Sequence, residues 1–193
     1  LNKGVLQGIS DFYDFQSEFD IFKEMSAASG RPISITVEQQ DARPEWWLQL
    51  LDGIKKAQDD GIKMYGQVPP RATGILMGLT ASLNPFTLYP SFFEISALPL
   101  DQKIGIMKDP EFKKKLLSEE PVSIGNPLVD EIITSFNKMF RLGEPANYEP
   151  HPDSSILSES KKLNLTPQEI LYDMLLEKTG RALIYHPLFN YEF

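Results

Sequence analysis

The chain contains no cysteine, which excludes thiol nucleophiles, disulfides and cysteine-ligated zinc. A reducing, cytoplasmic setting is the expectation that fits. Histidine is nearly as scarce, with two in 193 residues, His151 and His186. No apolar run approaches the roughly 20 residues of a membrane-spanning helix. The chain opens at Leu1 with no methionine, no basic region and no signal-like apolar stretch, and a membrane partner is not expected. A basic patch is also missing: the formal net charge is −8, against the needs of a phosphate-binding surface. The densest basic run, Lys113 to Lys115, is surrounded by Glu111, Glu119 and Glu120 and reads as a solvated helix face. Nucleic acid is therefore not an expected partner.

What remains is the composition of a globular chain, 41% hydrophobic and 24% charged, in one ordinary domain's length. Residues 30–71 carry the clearest pattern. Ile33, Ile35 and Val37 alternate with Ser34 and Thr36, predicting a buried strand. A helix follows, with Pro44 expected at its first position and Leu50, Leu51, Ile54 and Ala57 at helical spacing. Asp59-Asp60-Gly61 ends it, and residues 62–68 read as a second strand, parallel and adjacent to the first. An earlier helix is predicted over 15–29 on the apolar stripe Phe19, Ile21, Phe22 and Met25, stopped by Gly30.

Beyond residue 71 prolines divide the chain into short segments. Helices are predicted over 91–95, 101–107, 110–118 and 128–140, as an insertion or lid spanning 72–160. Residues 143–157 read as a turn-rich surface connection. Thr166-Pro167-Gln168-Glu169 is a capping-box start for a helix reaching about residue 178 and stopping at Gly180. Residues 182–185 read as a short strand or the start of a buried connection, and 161–193 as a helix and a return to the body of the fold. The whole is expected to be one partial α/β domain, with few parallel strands and a largely helical insertion. Both ends read as cut from a longer frame, since the chain closes on the apolar Leu188-Phe189-Asn190-Tyr191-Glu192-Phe193.

The chemistry-bearing candidates are few. His151 lies in a flexible Pro-His-Pro turn and reads as a loop residue, and His186 as a packed one. Gly74 and Gly78 match neither the dinucleotide fingerprint nor the P-loop, and tight packing is their expected role. No Gly-x-Ser-x-Gly elbow occurs. The strand ends are left: Glu38 and Gln39 after the first strand, Gln67 and Arg71 about the end of the second. Parallel α/β folds bind ligands at those ends. Arg71 beside Gln67 suits a substrate carboxylate, or equally an ion pair with an acidic residue of the insertion. Glu38 could serve as a base or a ligand.

Five segments in order carry a family resemblance: GRPISITVEQ, PEWWLQLLDGIKKAQDDGIKMYGQV, GILMGLTASLNPF, LPLDQKIGIMKDPEFKKKLL and TPQEILYDMLLEKTGRALIYHPLFNY. Together they resemble the D-aminoacylase, or N-acyl-D-amino-acid deacylase, branch of the amidohydrolase superfamily. The resemblance implies a (β/α)8 TIM barrel and zinc-dependent hydrolysis of an N-acyl amino acid, attacked by metal-bound hydroxide. It implies that residues 30–71 supply about the fifth and sixth barrel strands. The His-x-His of the first strand would precede Leu1, and the Asp of the last would follow Phe193. Where family members place strand-end histidines, this chain has Val37 and Pro69 (Val68 with a slip of one). The expectation is an internal, catalytically inert fragment, with no metal held by this chain alone and zinc belonging to the parent enzyme. Self-association through exposed barrel edges is also expected. Two alternatives stand: a non-catalytic helical interaction module derived from that fold, and a self-sufficient hydrolase built from Glu38, His151 and Asp153.

Overall fold

The computed structural model describes residues 3–191. Leu1, and Glu192 and Phe193 of the apolar ending, lie outside the described residues. Among the described residues the architecture is mixed α/β, with eight α-helices and two three-stranded sheets. The chain divides into two units, one holding the chain up to Thr73 and the segment from Leu188, the other holding Gly74–Pro187. No helix among the described residues is long and apolar enough to cross a membrane.

The first unit runs β1 (Leu6–Gly8), α1 (Phe15–Ser29), β2 (Ile33–Thr36), α2 (Trp46–Asp59) and β3 (Met64–Gln67). The three strands form one parallel sheet in sequence order, with Leu6 opposite Ile33 and Ile33 opposite Met64. The period of two along each strand sorts its side chains. Ile33, Ile35 and Met64 point to one face and join Phe19 and Phe22 of α1 with Trp46, Leu50 and Ile54 of α2 in a single core. Each such fully buried large side chain contributes about 2 kcal/mol through area removed from water. Both connecting helices therefore cover the same face of the sheet. Gly8 permits this packing, because a Cβ there would run into the Phe22 ring.

Several local expectations are corrected here. α1 spans the predicted residues and ends on Gly30 at φ 62°, but its buried stripe is Phe19, Phe22 and Ser26. Ile21 and Met25 are exposed, because the core lies along the 19-22-26 line and not along 21-25. α2 begins at Trp46, with Pro44 in the turn before it. Backbone bonds from Arg43 N to Gln40 O and from Trp46 N to Arg43 O hold that turn and delay the helix. β1 has only three residues and no alternation of its own, which hid it from periodicity.

The second unit contains β4 (Thr73–Met77, entering it at Gly74), α3 (Pro90–Ile95), α4 (Leu100–Met107), α5 (Pro110–Leu117) and α6 (Pro127–Thr134). β5 (Phe140–Arg141), α7 (Ile156–Leu163), α8 (Pro167–Gly180) and β6 (Ile184–Phe189) follow, with β6 leaving the unit after Pro187. The second sheet is ordered β4-β6-β5, with β5 antiparallel to β6. Four prolines start helices here (90, 110, 127 and 167), where the missing N–H costs nothing. The capping box at Thr166 and Glu169 forms as the sequence predicts.

The helix expected over 128–140 stops at Thr134. Thr134 and Ser135 turn their hydroxyls back to the carbonyls of Asp130 and Glu131, a local competition that favours ending a helix. A 3-10 turn, Phe136–Lys138, leads instead into β5. α7 starts inside the stretch read as a surface connection, with the Ser155 side chain accepting from Ser158 N as its cap. The regular part of α8 ends before Glu177, which is extended at ψ 159°, and Lys178 and Thr179 are left-handed at φ 48° and 54°. Gly74 and Gly78 pack tightly, as expected. A Cβ on Gly74 would lie 2.6 Å from His186 O, and one on Gly78 2.9 Å from Ala182 O.

Candidate functional site at the polar face and rim of the parallel sheet

The face of the first sheet opposite the helices is polar. Gln7, Ser34 and Tyr65 stand in register across it, with Thr36 and Gln67 one step further along. Gln67 Oε1 accepts from Gln7 Nε2 at 3.1 Å and from Ser34 Oγ at 3.2 Å. One amide oxygen thereby ties all three strands together. Its Nε2 donors are left pointing from an exposed side chain, available to an acceptor.

The rim beyond β2 is held by a return of the chain. Asn190, left-handed at φ 57°, accepts from Gln39 N through Oδ1 at 2.7 Å, and its own N–H donates to Gln39 O at 3.1 Å. Gln40 and Phe189 form an antiparallel bridge beside it. Both main-chain groups of Gln39 are thus used within the protein, so only its side chain can meet a ligand. Arg43 braces the same rim, donating to Phe12 O at 3.0 Å, Asp11 O at 2.6 Å and Gln40 Oε1 at 3.0 Å. Its guanidinium also lies 5.3 Å from the Trp46 ring centroid. Arg43 and Asn190 went unnoticed in the sequence because each one's partners lie far along the chain or on its main chain.

Glu38 is the rim's chemically distinctive group. It is buried, and among the described residues no hydrogen bond or ion pair meets its carboxylate. Burial alone pushes its pKa above the ordinary carboxylate value. A carboxyl tuned upward at the end of a parallel strand is the kind of group that exchanges protons in active sites. Arg71 lies exposed in the bend after β3.

Val37 is buried in the core with both helices, and its Cγ2 lies 2.9 Å from where a Cβ on Gly66 would stand. Alternation places it on the helix side, opposite the polar face, so Val37 is not a ligand position in this fold. Glu38, in step with Ser34 and Thr36, is the polar residue of that parity. Among the described residues no group of three or more His, Asp and Glu side chains is placed to hold a metal ion. The described residues therefore do not fit a zinc site.

The two histidines stand elsewhere. His151 is exposed in a 3-10 turn, its Nδ1 accepting from Asp153 N at 3.2 Å, with the Asp153 carboxylate 3.5 Å away. Its side chain and that of Asp153 are 69% and 83% exposed, in an open turn. His186 is buried in β6. No family model matches this chain, and no curated protein or solved structure matches it.

Proposed function

We propose that the chain forms one flank of a barrel-type amidohydrolase resembling the N-acyl-D-amino-acid deacylases, and that it supplies part of the substrate wall. The supporting observation is the arrangement of the first unit. Its strands run in the order β1-β2-β3, with both crossover helices on one face and a polar side-chain row on the other. A doubly wound sheet would carry helices on both faces, whereas a (β/α)8 barrel keeps them all outside. On this reading β1 precedes the fifth and sixth strands, and Gln7, Ser34 and Gln67 face the barrel interior.

Gln67 and the side chain of Gln39 would bind the amide and carboxylate of an N-acyl amino acid, with Arg71 at the carboxylate and Glu38 as a proton-exchanging group. Zinc and its ligands would come from the rest of the parent enzyme, and this chain alone is inert. A cytoplasmic setting suits the absence of cysteine. The test is the product of the longer reading frame, assayed with N-acetyl-D-amino acids. Gln67→Ala should lower kcat/KM at least about tenfold, the scale of one lost substrate hydrogen bond at about 1.4 kcal/mol. Unchanged kcat/KM in that variant would remove Gln67 from the substrate wall.

A further inference from the structure

The second unit contains a cavity of about 390 Å³ that is lined by none of the candidate site residues Glu38, Gln39, Gln67 and Arg71. Its apolar floor includes Leu142, Met174 and Leu183, and its charged border includes Arg141, Glu144, Glu177, Lys178 and Arg181. We infer that this cavity binds a small monocarboxylate with an aliphatic body, with Arg181 meeting the carboxylate and the floor taking the alkyl chain. The inference is independent of the function proposed above, because it concerns the second unit only.

The charges around the cavity are not equivalent. Arg141 is held by Glu159 at 3.2 Å and by Glu177 at 2.7 Å, and Lys178 by Glu144 at 2.6 Å. Arg141 is shared between two carboxylates, so each of these five side chains is already engaged by an opposite charge. Arg181 is different: it is exposed, and among the described residues no acidic side chain meets its guanidinium. Its planar fork of N–H donors matches a carboxylate in two-point contact. Among the described residues Arg181 is therefore the charged side chain on the border that has no ion-pair partner, and its fork suits a ligand with one carboxylate. The floor below it excludes a purely inorganic ion as the best fit, because it would leave apolar wall against water.

The backbone is bent to make this border. Lys178 and Thr179 at φ 48° and 54° precede Gly180 at φ 76°, and each non-glycine residue there costs on the order of 1 kcal/mol. Such residues persist where their surroundings hold them. Here Lys178 is tied to Glu144, and Gly180 sits so close to Ile104 that a Cβ would lie 2.6 Å from its Cδ1. The reversal brings Glu177, Lys178 and Arg181 to one cavity, although they leave the helix within five residues of one another.

Isothermal titration of the whole chain with sodium hexanoate tests the inference, with acetate, inorganic phosphate and hexan-1-ol as comparison ligands and Arg181→Gln and Arg181→Lys as variants. Arg181 is exposed, so both variants should keep the parent circular dichroism spectrum. The expected result is saturable hexanoate binding that Arg181→Gln weakens about tenfold or more and Arg181→Lys weakens less. Acetate, phosphate and hexan-1-ol should each bind at least about tenfold more weakly than hexanoate. Absence of saturable hexanoate binding, binding unaffected by Arg181→Gln, or phosphate or acetate binding as tightly as hexanoate would each overturn it.

Discussion

Gln7 reaches over the middle strand to place its side-chain N–H 3.1 Å from Gln67 Oε1, so the first and third strands of the parallel sheet share one hydrogen bond on its polar face. Ser34 of the strand between them uses the same acceptor at 3.2 Å. The contact serves as a clasp for the sheet and also fixes the amide that the proposed substrate would meet.

Removing that acceptor should loosen the sheet without unfolding it. Gln67→Ala is expected to cost about 1 kcal/mol, since two exposed neutral hydrogen bonds are lost but both donors regain water. Gln67→Glu keeps the acceptor and should cost less. Urea denaturation midpoints of the three proteins check this. An alanine variant as stable as the parent would mean the clasp is not formed in solution.

Glu38 gives a pH signature of definite sign. Its folded pKa is raised by burial, so the contribution to stability is present below the unfolded carboxyl value and is lost as pH rises through the folded value. Glu38→Gln should therefore raise the denaturation midpoint at pH 7 and leave it unchanged at pH 3.5, below the ordinary carboxyl value of about 4.3. A variant that lost stability at pH 7 would show that the charged carboxylate is held by a partner.

Two glycines in different settings should answer alanine substitution with opposite signs. At Gly74 a Cβ would press on the backbone of β6, 2.6 Å from His186 O and 2.9 Å from Pro187 Cα, so Gly74→Ala should cost about 2 kcal/mol or more. Gly105 lies within α4 with nothing within 4 Å of its Cβ position, and Gly105→Ala should gain up to about 1 kcal/mol from helix propensity. Thermal unfolding of both variants separates the outcomes. A neutral Gly74→Ala would place β4 and β6 further apart than described.

The outer edges of β1 and β3 carry exposed apolar residues, with Val5 and Ile9 beside β1 and Val68 beside β3, each at least 63% exposed. Unpaired parallel edges with such flanks favour association. Sedimentation velocity should show the sedimentation coefficient rising with concentration. Val5→Lys with Val68→Lys should shift the distribution toward the monomer. A concentration-independent monomer in the parent chain would remove self-association from the account.

The legible part of this fold was the part in which local pattern and tertiary role coincide. Ile33 and Ile35 alternate with polar residues because one sheet face is buried, and α2 shows its apolar stripe for the same reason. β1 offered three residues and no period, and became a strand only by pairing with β2. α7 lay hidden behind the prolines around His151, its cap being a serine like many others in the chain. In the site, Glu38, Gln39, Gln67 and Arg71 could be named from strand ends. The alternation of Val37 with Ile33 and Ile35 put it on their face, and the packing of α1 and α2 makes that the helix side. Asn190 could not be found from sequence at all, since its partner Gln39 lies 151 residues away.

The most direct measurement is an amide and side-chain NMR titration of the whole chain with N-acetyl-D-leucine, alongside N-acetyl-L-leucine. The account predicts chemical-shift changes confined to residues 36–40 and 67–71 and to the side-chain amides of Gln7, Gln39 and Gln67, stronger for the D enantiomer, with no turnover. Shifts absent from those residues, or equal for both enantiomers, would contradict the claim that this polar rim is a substrate wall.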